Sequence, residues 1–279
     1  MTGDLHCHTR LSDGSLGIDD VVICAKKRGL SFLAISDHDT TLSYNRALIV
    51  GQRVGINIMP AVELSAFDSQ RGNKAHILTY LYDYPNRLEG ICRQNCENRK
   101  RAGNEMLRLL TKEFPINTDF VARYLQGSQS VYRQPIMHAL MDLGYTDRIY
   151  GDLYQKLFGL EGSCRVKMTY PEVREVLDVV HLAGGIAILA HPGEYDGLPL
   201  LEELAQTGKI DGVELHHPSN SPVLRKTAQE LAQRYSLLTT GGSDFHGMYG
   251  AQPVPVGEDT AAAEEIDQLY QFKEKQKKK

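Results

Sequence analysis

Phe32-Leu-Ala-Ile-Ser-Asp-His-Asp-Thr40 is the stretch on which the fold turns. A short apolar run, Ser31–Ile35, reads as a buried strand and stops at Asp37, His38 and Asp39. Three ionisable residues at a strand end are costly to bury unless they coordinate or pair. Working outward, the pattern repeats. Thr2–Leu5 runs into His6-Cys-His8, Ile56–Val62 into Glu63, and Ile186–Ala190 into His191-Pro192. Gly212–Leu215 runs into His216 and His217, and Leu237–Thr240 into Gly241-Gly-Ser-Asp-Phe-His246. A seventh run, Ile77–Leu81, has its histidine, His76, in front of it instead of behind. Amphipathic stretches separate several runs: Ile18–Arg28, Tyr44–Arg53, Pro171–Ala183, Leu200–Gln206 and Pro222–Arg234. Strands alternating with helical patterns predict an α/β architecture with a parallel sheet, open or closed into a barrel. Seven strands is one fewer than a standard barrel holds.

Between Pro85 and Glu161 strand-like runs vanish and helical patterns take over, at Leu88–Leu110, Asp119–Leu125, Ile136–Leu143 and Tyr150–Phe158. This predicts a helical insertion, residues 86–161, that divides a barrel built from residues 1–85 and 162–279. Gln271–Lys279 reads as a solvated or frayed basic tail. The composition, 42% apolar and 24% charged, belongs to an ordinary globular chain and excludes disordered and fibrous classes. A net charge of −4 supplies no global attraction for duplex nucleic acid or an anionic membrane, so neither is an expected partner. No apolar run approaches the roughly 20 residues of a membrane span. Five cysteines without a C-x-x-C pair fit reduced thiols and, with no secretory leader visible, a cytoplasmic location.

Strand periodicity sharpens the candidate site. In His6-Cys-His8 the two imidazoles share one face and Cys7 takes the other, which lets one strand offer two ligands. Singly, each residue has a simpler explanation: capping for Asp13 and Asp244, an ion pair for Glu63, a satisfied buried histidine for His191. Jointly they do not, because parallel strands of an α/β fold gather their C-terminal ends on one face. Such ends, each carrying His, Asp or Glu, predict a shared metal site. His76 does not follow this logic, since it precedes its strand and would lie on the wrong face.

These residues resemble the ordered motifs of the polymerase and histidinol phosphatase (PHP) family. The motifs are His6-x-His8, Asp13-Gly14, Ser36-Asp-His-Asp-Thr40, Glu63, His76, Ala190-His-Pro192 and Ser243-Asp-Phe-His246. The resemblance implies a distorted (β/α)7 barrel with an inserted helical subdomain capping the active site, and metal-dependent hydrolysis of phosphate esters. It implies nine metal ligands: His6, His8, Asp13, His38, Glu63, His76, His191, Asp244 and His246, with His76 entering by resemblance alone. It further implies that Glu63 bridges two ions and that Asp244 joins His6 and His8. His76 and His191 would serve a second ion, and Asp13, His38 and His246 a third. The helical insertion is similar to that of nucleoside 3',5'-bisphosphate phosphatases and 5'-to-3' trimming exonucleases, which points to Arg133, Lys167 and His217 as phosphate-binding or catalytic groups. The insert motif of that subgroup reads Arg-Pro-His; here Arg133-Gln-Pro puts Pro135 where the histidine would fall.

Imidazole and carboxylate ligands suit two or three divalent ions of Mn, Fe or Zn better than Ca. Clustered ions acidify a bound water to hydroxide, orient it, and stabilise the departing oxygen of a phosphate ester. The expected reaction is removal of a terminal phosphate from a small nucleotide such as a 3',5'-bisphosphate. Exonucleolysis of short oligonucleotides, histidinol phosphate hydrolysis and a non-catalytic metal-holding module are the alternatives. His216, His138 and His181 read as structural.

Overall fold

The computed structural model describes residues 2–252 and 254–278. Its sheet is built from β1 (Thr2–Cys7), β2 (Phe32–Ile35), β3 (Asn57–Asp68), β4 (Asn73–Tyr80), β5 (Ile186–Leu189), β6 (Gly212–His216), β7 (Leu238–Gly241) and β8 (Ala261–Ala262). The strand order is β7-β6-β5-β4-β3-β2-β1-β8. β7 also approaches β1 and β8, so the sheet curls into a nearly closed barrel. All seven expected strands are present. β8 is additional, too short to show a periodicity, and pairs antiparallel with the start of β1.

The helices fall where the amphipathic stretches predict. α1 (Ile18–Lys27) and α2 (Ser43–Val54) cover the outer faces of β1 and β2 through Val21, Val22, Ala25, Ala47 and Val50. Between β4 and β5 come α3 (Pro85–Glu113), α4 (Thr118–Ala122), α5 (Arg133–Asp142) and α6 (Asp152–Phe158). α7 (Val173–Leu182), α8 (Leu198–Gln206) and α9 (Pro222–Tyr235) pack on the outer faces of β3 to β6. α10 (Ala263–Gln276) corrects the reading of a frayed tail: Phe272 packs on the core and Lys273 is buried against Asp83. Its apolar positions Ile266, Leu269 and Phe272 recur at helical spacing and seal the barrel beside β1. Lys279 lies outside the described residues.

One departure from a parallel sheet positions the site. β4 runs antiparallel to both β3 and β5. The inward rows Met59, Ala61, Glu63 on β3 and Tyr80, Leu78, His76 on β4 therefore run in opposite chain directions. The register pairs Ala61 with Tyr80, Glu63 with Leu78 and Ser65 with His76. Apolar residues of both rows meet in one inner core, and their polar ends emerge at the same mouth. The N-terminal end of β4 thus lies where the other strands end.

α3 is anchored to the barrel by a buried charge. Arg99 donates to Asp39 Oδ2 at 2.8 Å and to Ser65 Oγ at 3.0 Å, while Asn95 donates to Asp39 Oδ1 at 2.7 Å. Asp39 holds a left-handed φ of 55° to accept them. Arg99→Met leaves that carboxylate buried without its cation and is expected to cost about 3 kcal/mol of stability. Urea unfolding measures this directly; a change below about 1 kcal/mol, the scale of an exposed pair, would show that Asp39 is satisfied without Arg99.

Candidate metal centre

The barrel mouth collects all nine expected ligands. Glu63 is fully buried and lies at their centre. Its Oε2 is 3.1 Å from His6 Nε2, 3.2 Å from His8 Nε2 and 3.1 Å from His38 Nδ1. Its Oε1 is 2.8 Å from His191 Nε2 and 2.9 Å from His76 Nδ1. Asp244 Oδ1 stands 3.3 Å from His6 Nε2 and 3.1 Å from His8 Nε2. Asp13 Oδ1 stands 3.2 Å from His246 Nε2 and 3.7 Å from His8 Nδ1, and its Oδ2 is 3.9 Å from His38 Nε2.

Local sequence explains this convergence. His6 and His8 both face inward and are fully buried, while Cys7 packs outward against α1. Gly242 lets the end of β7 come close, since a Cβ there would lie 2.3 Å from His6 Cβ. His191 and Asp244 hold φ values of 25° and 51°. Non-glycine residues in that region store about 1–3 kcal/mol each, which the surrounding structure must outweigh.

The donor set fits divalent cations. His6 Nε2 and His8 Nε2 approach to 3.1 Å, and His76 Nδ1 and His191 Nε2 to 3.2 Å. One carboxylate cannot satisfy five imidazoles through hydrogen bonds of good geometry. Asp13 Oδ1, His38 Nδ1 and His191 Nδ1 are buried without any hydrogen-bond partner. Ring nitrogens crowded against carboxylate oxygens, with buried atoms left over, are what a shared cation resolves. The ligand atoms form overlapping groups, among them His8-Asp13-His38-His246, His6-His8-Asp244, His6-Glu63-His191 and His38-Glu63-His76.

The carboxylates are ionised, and the His38 ring and the His6 tautomer suit ligation. Against the effect of burial, the carboxylates facing His6, His8, His191 and His246 raise the pKa values of those rings. Burial opposes ionisation of Glu63, but the facing imidazoles His38, His6 and His76 hold its pKa well below the ordinary carboxylate range. Burial likewise opposes ionisation of Asp244, and His246 and His6 outweigh it. Burial drives the His38 pKa well down and keeps the ring neutral, as a metal ligand must be. His6 Nδ1 lies 2.9 Å from Glu214 Oε1, which assigns its hydrogen to Nδ1 and leaves Nε2 free to ligate. The second Glu214 oxygen accepts from the His191 backbone N–H at 2.8 Å. Glu214 was missed in the sequence, although a glutamate at an inward position of the buried run Val213-Glu-Leu215 is itself a signal.

His217 lines the same pocket, and its Nε2 is 3.5 Å from Asp244 Oδ2. The Ser219 N–H donates to His217 Nδ1 at 3.0 Å, so the neutral ring carries its hydrogen on Nε2. That atom is buried and has no partner. Arg133 begins α5 with its guanidinium 5.9 Å from the Phe158 ring, outside the residues lining the pocket. Its charge reaches Lys74, whose ammonium is crowded although the residue as a whole is exposed. Desolvation, then Arg133, Arg99 and Arg165, lower the Lys74 pKa. Lys167 is exposed in a separate cleft with Asn98, Arg101 and Thr169, and the structure does not bring it to the ligand cluster. His216 faces away, His181 pairs with Asp211 at 3.0 Å, and His138 contacts Tyr249 at 3.0 Å.

The pocket over the cluster has a volume of about 510 Å³ and is walled by Gln134, Tyr150, Tyr154, Tyr195 and Tyr249. A cavity of similar size, about 540 Å³, lies on the outer surface between α9 and α10 but contains none of the candidate ligands. The chemistry therefore belongs to the mouth of the barrel. Among the described residues, no helix is long and apolar enough to cross a membrane, and no cysteine is disulfide-bonded.

A distorted barrel that gathers histidines and carboxylates at its mouth is the architecture of a metal-dependent phosphoesterase, and this chain is a hydrolase of that class. Residues 4–178 match the PHP domain, and the chain belongs to that family. It is 35% identical over 255 residues, 91% of this chain and 97% of the relative, to a phosphoribosyl 1,2-cyclic phosphate 1,2-diphosphodiesterase of Eggerthella lenta. It is 30% identical over 260 residues, 90% of this chain and 86% of the relative, to the 5'-3' exoribonuclease Rnm of Escherichia coli. A solved structure from Bifidobacterium adolescentis, assigned as a metal-dependent phosphoesterase, superposes with a TM-score of 0.87 at 28% identity, covering 96% of this chain and 94% of that one.

Proposed function

We propose that this site hydrolyses a terminal phosphate ester of a small nucleotide, with a nucleoside 3',5'-bisphosphate as the first substrate to test. The pocket carries this reading. Its volume of about 510 Å³ is that of a small-molecule site, and its floor is the ligand cluster. The segment 86–161 acts as the inserted cap, contributing Gln134, Tyr150 and Tyr154 to the wall.

In this reading His6, His8, Glu63 and Asp244 would hold one ion of Mn, Fe or Zn, and Glu63, His76 and His191 would hold a second. Asp13, His38 and His246 would hold a third where three are bound. When bound, such ions acidify water and neutralise phosphate charge. His217 offers its Nε2 hydrogen to a phosphate oxygen or the leaving oxygen, and the Ser219 N–H, donating to Nδ1, orients the ring. Arg133, at the start of α5 within the cap, draws the phosphate-bearing end of the substrate toward the pocket by its charge and would bind it in two-point fashion.

A second reading is favoured by the relative with the higher identity, whose named substrate is a cyclic phosphate of ribose. Loss of the insert histidine to Pro135 is consistent with a substrate other than a bisphosphate. The test incubates metal-reconstituted protein with a nucleoside 3',5'-bisphosphate, a five-membered cyclic ribose phosphate and a labelled short RNA. Phosphate release from the bisphosphate with the RNA left intact is expected. Turnover of the cyclic ester beside an inert bisphosphate selects the second reading, a ladder of mononucleotides selects exonucleolysis, and inertness toward all three defeats the proposal.

A further inference from the structure

The helical segment between β4 and β5 touches the metal cluster at one particular place. Residues 128–134 grip the turn that carries Asp13. Ser128 Oγ donates to the Ser12 carbonyl at 2.8 Å, the Gln129 N–H donates to the Leu11 carbonyl at 2.9 Å, and Gln134 Nε2 donates to Asp13 Oδ2 at 3.3 Å. Three consecutive residues of the ligand turn, Leu11, Ser12 and Asp13, are thus bonded to the insert.

One helical turn beyond Gln134, on the same face of α5, His138 Nδ1 meets the Tyr249 hydroxyl at 3.0 Å. Tyr249 is buried among the apolar residues of the helical segment, yet it belongs to the barrel loop that has just presented Asp244 and His246. The two gripped loops are also tied to each other. The Ser15 N–H donates to the His246 carbonyl at 3.0 Å, and the Met248 N–H to Ser15 Oγ at 2.9 Å.

We infer that α5 is a brace for the outer ion, with Gln134 and Tyr249 as positioning residues for Asp13 and His246. The Gln134 amide occupies Asp13 Oδ2, which directs the buried, unpartnered Oδ1 toward His246 Nε2 at 3.2 Å and the common ligand point. The ligands around Glu63 have no such dependence, because β1, β3, β4 and β5 or the residues just beyond them carry His6, His8, Glu63, His76 and His191. Occupancy of the outer ion is therefore coupled to the docking of α5 and its preceding loop, whose hydrogen bonds reach the Asp13 turn and the His246 loop. This rests on reading Asp13, His38 and His246 as ion ligands.

The test compares unmodified protein with Gln134→Leu and Tyr249→Phe, each stripped with chelator and titrated with Mn²⁺. Bound manganese per chain, calorimetric affinity and melting temperature before and after loading are recorded. Both variants are expected to weaken the loosest-held ion by about 10-fold or more and to leave tighter sites unchanged. The melting temperature of stripped protein should stay close to that of the unmodified chain. Titration curves identical to the unmodified protein would overturn the inference. So would a fall in melting temperature with unchanged manganese affinity, which marks a role in folding alone. If unmodified protein binds no Mn²⁺ at all, the ligand reading itself fails.

Discussion

Glu63→Gln is expected to lower kcat/KM for phosphoester hydrolysis by about 10³-fold, equivalent to about 4 kcal/mol of transition-state stabilisation. The substitution keeps the shape of the side chain and removes its charge. Glu63 faces five imidazoles, from 2.8 to 3.2 Å, and its two oxygens point to different subsets of them. An amide offers one acceptor and places an NH2 donor against the other subset, where cations are expected. Elemental analysis of the variant should show metal lost along with activity. Retention of full metal content and activity within about tenfold of the parent would remove Glu63 from the centre of the site.

Stripping the protein with chelator is expected to abolish turnover outright and to make stability depend on pH in an unusual direction. In stripped protein, burial opposes the charged form of His191, but hydrogen bonding to Glu63 and the charges of Glu194 and Glu63 raise its pKa to about 9. Burial also opposes charge on His246, and Asp13 and Asp244 raise it to about 10. A histidine whose folded pKa is raised stabilises the fold fully below its unfolded value of about 6.5 and loses that contribution as pH climbs through the folded value. The stripped protein should therefore melt at progressively lower temperature between about pH 6.5 and pH 10. Metal loading requires deprotonated imidazoles and becomes more favourable over the same window. Added Mn²⁺ should raise the melting temperature more at pH 9 than at pH 7, with protons released on binding. A metal-induced shift that is independent of pH would mean the imidazoles are already neutral at pH 7.

Much of this site is legible in the chain itself. His6 and His8 share a face because a strand repeats every two residues, and the ends of parallel strands meet because helices return the chain to the same side. Glu63, His191, Asp244 and His246 follow from that rule alone. His38 follows from the cost of burying Asp-His-Asp at a strand end. Other features were not legible. Lys167 is near in sequence to the strand-bearing half, yet it ends in a separate cleft beside Asn98 and Arg101. Arg133 enters the helix that carries Gln134, yet only Gln134 turns toward Asp13. The last helix was obscured by its lysines, whose charges mask the spacing of Ile266, Leu269 and Phe272.

His76 marks the boundary between the two kinds of information most clearly. The sequence by itself determined that it is a histidine in front of the apolar run Ile77–Leu81, which strand-end logic would leave on the wrong face. Only the tertiary structure decided that this strand runs backwards between β3 and β5, carrying His76 to the mouth where Glu63 waits at 2.9 Å. Periodicity and strand ends are local properties, written in neighbouring residues. Strand direction is not local, because it depends on which edge a strand pairs with and on how the loops around it close. The same holds for Gln134 and Asp13, 121 residues apart, whose meeting depends on the docking of a whole helical segment.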